Sequence, residues 1–188
     1  MKFLSSACYA SMLLVAGGLT GFAKASEKPT YGWVETATLE PWGAEVKVKL
    51  DTGALTSSMQ AEEIETFERD GEDWVSFIVE VEDEETDEVV SRTFERAVFR
   101  NLLVTGAGGE DHRPVVLMTI CMGQTLHEEQ FSLEDRDDMN YPVLLGRRTI
   151  QSLGQVDVTQ TFRHDPACDE DSQLVRHSEH DYDEDIGI

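Results

Sequence analysis

Asp51 ends an alternating run, Ala44 to Leu50, and opens a Thr52-Gly53-Ala54 turn. A carboxylate carried to a tight turn by a strand is a candidate general acid or base, because it can hold or accept a proton beside a bound substrate. Far downstream, Tyr141-Pro142-Val143-Leu144-Leu145-Gly146-Arg147 supplies two bulky aliphatics, a glycine and a cation in succession. Other chemistries lack their patterns. No His-Glu-x-x-His helix is present to hold zinc, and no Gly-x-x-x-x-Gly-Lys-Ser/Thr loop to cradle ATP phosphates. Ser57-Ser58 sits in no Gly-x-Ser-x-Gly elbow, and His112 and His127 have no partner that would complete a nucleophilic triad. His164, His177 and His180 lie among carboxylates, a mixture that reads as a polar segment rather than a ligand set.

The elements that must position Asp51 are mostly strands. Val46, Val48 and Leu50 alternate with Lys47 and Lys49, the period of a half-buried strand. Trp33 to Leu39 precedes it across a Pro41-Trp42-Gly43 turn. Ala61 to Phe67 reads as a short helix, with Ile64 and Phe67 three residues apart, stopped at Asp70-Gly71. Trp74 to Val81 and Val89 to Phe99 follow as strands about the charged turn Glu82 to Glu88. Thr105 to Asp111 is a glycine-rich loop, and Arg113 to Met122 and Leu126 to Leu133 form a hairpin about Gly123-Gln124. Arg147 to Leu153 reads as one short helix stopped by Gly154, and Gln155 to Phe162 as a last strand. Trp33, Trp42 and Trp74 fit core or strand-pair positions.

Taken in order, Gly32-Trp33-Val34-Glu35, Asp51-Thr52-Gly53-Ala54 with Thr56-Ser57-Ser58, Trp74-Val75-Ser76-Phe77, Arg113-Pro114-Val115-Val116 and the Tyr141 to Arg147 segment resemble one family. It is the bacterial retropepsin-like aspartic peptidases, which also carry the label ATP-dependent zinc protease; the missing zinc and ATP motifs set that label aside. The resemblance implies an all-β fold, a closed barrel forming half of an acid protease, with one or two short helices. It implies that Asp51 is catalytic and meets Asp51 of a second copy, giving a homodimer with no cofactor or metal. Two carboxyl groups so close cannot both ionise, so the pair shares one proton. Thr52 would reach across the two-fold axis, Gly53 would allow close approach, and Ala54 would shape the pocket. Leu144, Leu145 and Gly146 would pack beneath the turn. Arg147 would pair with a carboxylate or a carbonyl near the dimer base. The retroviral enzymes carry an acidic residue for that arginine where this chain has Leu55-Thr56-Ser57-Ser58. The loop with Gly106, Gly108 and Gly109 takes the flap position.

The implied activity is hydrolysis of a peptide-type bond, as an aspartic endopeptidase or amidase. The alternative is a non-catalytic dimer of the same fold that binds a peptide or partner. Relatives are associated with ATP-grasp ligases and transglutaminase-like proteins, which suggests a peptide or small amide substrate and a functional partner of one of those kinds.

Composition and termini frame the rest. Lys2, the apolar run Ala10 to Phe22 and Ala23-Lys24-Ala25 read as a signal peptide, residues 1–25, cleaved after Ala25, with export to the periplasm. The domain then spans residues 26–164. The formal net charge is −23, which excludes nucleic acid, whose binding rests on Lys and Arg at phosphates, and opposes stable association with an anionic membrane. Residues 165–188 hold nine acidic residues against Arg176 and read as a solvated, disordered acidic tail. Two cysteines remain in the exported chain, Cys121 and Cys168. They would either form a bridge tying that tail to a core strand or stay as two thiols with Cys121 buried.

Overall fold

The computed structural model describes residues 28–106 and 109–180. The leader at residues 1–25, Gly108 of the expected flap and the end of the acidic tail, residues 181–188, lie outside the described residues. Among the described residues no helix is long and apolar enough to cross a membrane.

Strand alternation produces the barrel. β1 (Thr30–Gly32) leads into β2 (Val34–Glu40), which turns at Trp42 and Gly43 into β3 (Ala44–Leu50). Ala44, Val46, Val48 and Leu50 of β3 are buried, as its period of two requires. β4 (Ser57–Gln60), β5 (Glu62–Arg69), β6 (Glu72–Asp83), β7 (Glu88–Ala97) and β8 (Arg100–Gly106) follow, then β9 (Gly109–Met122) and β10 (Thr125–Glu134). β11 (Val143–Leu145), helix α1 (Arg147–Leu153), β12 (Gln155–Asp157) and β13 (Gln173–Val175) complete the chain, with a 3-10 turn at His177–Glu179. The larger sheet runs β13-β10-β4-β11-β3-β2-β9-β8, and the extra pairing of β9 with β10 closes six of these strands into a ring. Closure leaves those six strands without free edges. The expected all-β barrel and the helix at Arg147–Leu153 are both present.

The long β6–β7 hairpin supplies a second wall of the core. Val75, Phe77, Val79, Val81 and Phe94 are buried in the same cluster as Ala44, Val46 and Val48. Asp83 fastens the hairpin tip to the barrel: its carboxylate accepts from the Glu45 N–H at 2.9 Å and from the Thr86 N–H and hydroxyl at 3.0 Å. Burial pushes the Asp83 carboxyl up, but these hydrogen bonds outweigh it and hold the group below its usual value.

Three expectations are corrected. Ala61 to Phe67 is no helix: Glu62–Arg69 is β5, paired antiparallel with β6. A register shift between Glu62 and Glu65 inserts an extra residue, so Ile64 and Phe67 reach the same face three positions apart and mimic helical spacing. The last strand is also shorter than Gln155 to Phe162. Only Gln155–Asp157 pairs, parallel to β1, and the chain then turns so that Gln160 O accepts from the Trp33 N–H at 3.0 Å.

The third correction concerns residues 165–180, which are ordered against the barrel. Cys168 is bridged to Cys121, and β13 pairs parallel with β10 from Thr125↔Gln173 to His127↔Val175. Local composition favours solvation here, but a bridge and a strand ladder to distant partners override it. The junction is also held by Glu35, a fully buried carboxylate on β2, which accepts from the backbone N–H groups of Gly32, Arg163 and His164.

Candidate active site

β3 delivers Asp51 to its turn, and β4 carries the chain back into the barrel. β11 runs between the two, parallel to β3 at Val48, Lys49 and Leu50 and antiparallel to β4 at Met59 and Ser58. The ladder continues into the turn, where the Asp51 N–H donates to Leu145 O at 2.8 Å. Leu145 and Gly146 are buried beneath the loop and Leu144 is half-buried. Gly146 has no room for a side chain, since a Cβ would lie 2.7 Å from Thr56 C and 2.8 Å from Leu55 C and O. The structure thus brings Asp51-Thr52-Gly53-Ala54 and Leu144-Leu145-Gly146-Arg147 together, as the sequence suggested.

Within the turn, Asp51 Oδ1 accepts from the Gly53 N–H at 2.9 Å, and Ala54 N–H donates to Asp51 O at 3.2 Å. A Cβ on Gly53 would stand 3.0 Å from that same Oδ1. The tip of the turn, Thr52 and Gly53, faces solvent. Arg147 reaches a carbonyl of the turn: its Nη1 donates to Thr52 O at 2.8 Å, and its backbone N–H donates to Ala54 O at 2.9 Å. α1 therefore begins by clamping the Asp-Thr-Gly loop.

Lys49 had no role in the sequence reading. Its ammonium lies 3.2 Å from Asp51 Oδ2, the oxygen that Gly53 leaves free. Two residues apart on one strand, the two side chains emerge on the same face. Partial burial pushes the Asp51 carboxyl up, but the Gly53 N–H and the Lys49 ammonium together prevail and hold it below the usual aspartate value. Arg136 adds a further positive charge nearby. It is buried, with Nε donating to Tyr141 O at 3.0 Å and Nη1 to Ser58 Oγ at 3.0 Å, and it senses the Asp51 charge.

The sign of the Lys49 effect can be tested. A cation stabilises the ionised carboxylate, so Lys49→Met should raise the pKa of Asp51 and of any carboxyl pair it forms. The expected result is a displacement of the Asp51 titration, followed by carboxyl NMR, toward higher pH. An unmoved titration would mean that the ion pair is lost to solvent.

The stretch expected as a flap loop, Thr105 to Asp111, is corrected: Thr105 and Gly106 end β8, and Gly109, Glu110 and Asp111 begin β9, because the strand ladder runs further out than the glycines suggest. β8 and β9 pair from Arg100↔Val115 out to Gly106↔Gly109, with Leu103 and His112 opposite one another on the exposed part. Among the described residues no group of three or more His, Cys, Asp or Glu comes together that could hold a metal ion. His164 packs on Tyr31 with ring centroids 4.8 Å apart, and its Nε2 is 3.0 Å from Thr30 O. His177 lies edge-on to Phe99 with Nε2 3.0 Å from Gln130 Nε2, and His180 sits against Glu129. His127 is buried on β10; burial and the neighbouring His180 lower its pKa to about 4, which keeps it neutral.

Comparison with known proteins agrees with this geometry. A solved structure from Legionella pneumophila, described as a protein of unknown function (DUF785), superposes with a TM-score of 0.61 at 31% identity, covering 74% of this chain and 98% of that one. Proteins named "Probable alpha-L-glutamate ligase" are also similar. The one from Shewanella pealeana is 32% identical over 117 residues, and the one from Desulfotalea psychrophila 33% over 106. These alignments cover 62% and 56% of this chain but only 25% and 22% of the ligases, so the chain spans about a quarter of their length. The family model described as retropepsin-like aspartic endopeptidase RimB matches residues 30–167, which include the barrel, the Asp51 turn and its Leu-Leu-Gly support. The chain belongs to this RimB-like, retropepsin-like aspartic endopeptidase family.

Proposed function

We propose that the chain is an aspartic-type hydrolase of peptide or amide bonds, with Asp51 and Asp51 of a second copy as its catalytic pair. The observation that carries this reading is the Asp51 turn itself. One carboxylate is aimed by the Gly53 N–H at 2.9 Å, and the turn is braced from below by β11 and Arg147. Its tip, Thr52 and Gly53, is exposed where another copy would pack.

In the dimer the two carboxyl groups share a proton. The ionised member takes a proton from water as the water oxygen attacks the substrate carbonyl. The protonated member donates to the carbonyl oxygen, giving a neutral tetrahedral diol. Proton transfer to the amide nitrogen and cleavage of the C–N bond then release acid and amine. Thr52 of each copy would lock the two turns across the axis. Export to the periplasm accompanies this reading, supported by the leader-like N-terminus and by the Cys121–Cys168 bridge, since disulfides persist in oxidising compartments.

The ligase names of the relatives suggest the substrate class. A domain of this family occupying part of a glutamate ligase would be suited to bonds that such an enzyme makes, so glutamyl peptide bonds are the first to try. A second reading rests on the same names: the domain is a non-catalytic module that holds a peptide, leaving chemistry to a ligase partner. The test is hydrolysis of a peptide library enriched in glutamyl bonds by protein whose dimeric state is verified. Cleavage blocked by a statine-type transition-state analogue supports the catalytic reading. Peptide binding without cleavage by a verified dimer favours the module.

A further inference from the structure

We infer that Glu129, a buried carboxylate on β10, is a positioning residue for the Asp51 turn and acts through Thr149 and Ser57. The inference rests on the proposed reading of Asp51 for its functional meaning, and on hydrogen bonds alone for its structural content. Glu129 is 1% exposed. Its Oε2 accepts from the Thr149 hydroxyl at 3.0 Å, and its Oε1 lies 2.9 Å from the Ser152 hydroxyl, whose one hydrogen is shared with Thr149 O at 2.7 Å; both residues are on α1. Thr149 Oγ1 lies 2.8 Å from Ser57 Oγ on β4, and Ser57 Oγ accepts from the Gly146 N–H at 3.0 Å. Glu129, Thr149, Ser57 and Gly146 are buried, and Ser152 is half-buried.

The directions of these bonds follow from donor counting. Glu129 in its carboxylate form only accepts, so the single hydroxyl hydrogen of Thr149 is committed to it. Ser57 must then supply the hydrogen between the two hydroxyls. Its remaining lone pairs face the Gly146 N–H, which has no other role to play at the start of α1. The carboxylate therefore orders the row of hydroxyls in one sense, and the row ends on the glycine that carries Arg147. From there Arg147 clamps Thr52 O and Ala54 O, and the Arg148 N–H donates to Leu55 O at 3.2 Å. Displacing Gly146 displaces the turn that aims Asp51. A short loop held from one side only would not keep a carboxylate within the tolerance that proton transfer demands.

His180 closes over the start of this row, with Nδ1 3.5 Å from Glu129 Oε1 and side chains 2% and 1% exposed. The C-terminal segment thereby keeps water from competing for the carboxylate.

Glu129→Met is the informative variant, because it keeps much of the side chain's volume but removes the acceptor that fixes the Thr149 hydrogen, whereas the amide oxygen of a glutamine can still accept from Thr149. Amide hydrogen exchange of the full chain, followed by NMR, reads the consequence directly. The expected result is a loss of protection of at least about tenfold at Gly146 and Arg147, with the β6–β7 core unchanged. Thr149→Val should give the same local loss, and the double variant no more than either alone. Ser152→Ala, which touches Glu129 but lies off the row, should leave Gly146 protected. With a cleavable peptide, Glu129→Met should lower kcat by about tenfold to a hundredfold with little change in KM. Unchanged Gly146 protection in folded Glu129→Met or Thr149→Val overturns the inference. Should wild type cleave nothing, the exchange result still decides the positioning role, and the failure belongs to the proposed activity.

Discussion

Asp51→Asn should abolish hydrolysis, lowering kcat/KM by at least about a thousandfold, while leaving the fold and the dimer intact. The amide oxygen can still accept from the Gly53 N–H at 2.9 Å, so the turn keeps its shape. What is lost is the shared proton: an asparagine pair can neither take a proton from water nor pass one to the carbonyl. The Lys49 ion pair is lost as well. Since Lys49 and Asp51 are both part-exposed, that loss should move stability little. Peptide cleavage and light scattering on the same samples check both halves of the expectation. Residual activity near the wild-type level in a verified dimer would remove Asp51 from the mechanism.

The second large effect concerns the bridge. Replacing Cys121 and Cys168 together by serine, or reducing the bridge, should lower stability by about 2–4 kcal/mol, the usual worth of a link closing a loop of intermediate length. The 47-residue separation between the two cysteines includes the last barrel strand, β11 and α1, so opening it relaxes the unfolded chain over elements that frame the site. Locally the loss should concentrate on β13 and the His177–Glu179 turn, which bring His180 over Glu129. Thermal denaturation with and without reductant gives the global effect, and hydrogen exchange at Gln173 to Val175 gives the local one. A reduced protein as stable as the oxidised one, with those amides still protected, would show that strand pairing alone holds the segment.

How much of this was legible in the sequence depended on the range of the interaction that fixed each element. The period-two pattern of β3, the Gly123-Gln124 hairpin and the helix after Gly146 are encoded locally, and their positions could be read to within a residue or two. The Asp51 turn and its Leu144-Leu145-Gly146 support were legible as a pair only through the family resemblance that their residues carry. β5 was misread because a bulge converted period two into a spacing of three. The C-terminal segment was misread because its order comes from Cys121 and β10, far away in sequence. The burial of Glu35, Glu129 and Arg136 was not legible for the same reason: charged residues look solvated until distant donors and acceptors surround them. Glu129, within Leu126-His127-Glu128-Glu129, had one available signal. Strand alternation places it on the same face as His127 and Phe131, both buried. Lys49 could likewise have been placed beside Asp51 by its spacing of two.

Mixing wild type with Asp51→Asn decides whether one active site needs a carboxylate from each of two chains. Subunits are allowed to exchange at constant total concentration, and cleavage is followed as the wild-type fraction is varied. If both aspartates are required, activity follows the square of that fraction, so an equal mixture retains about 25% of the wild-type rate. A linear fall, with about 50% retained in the equal mixture, would mean that each chain works alone and would contradict the shared pair.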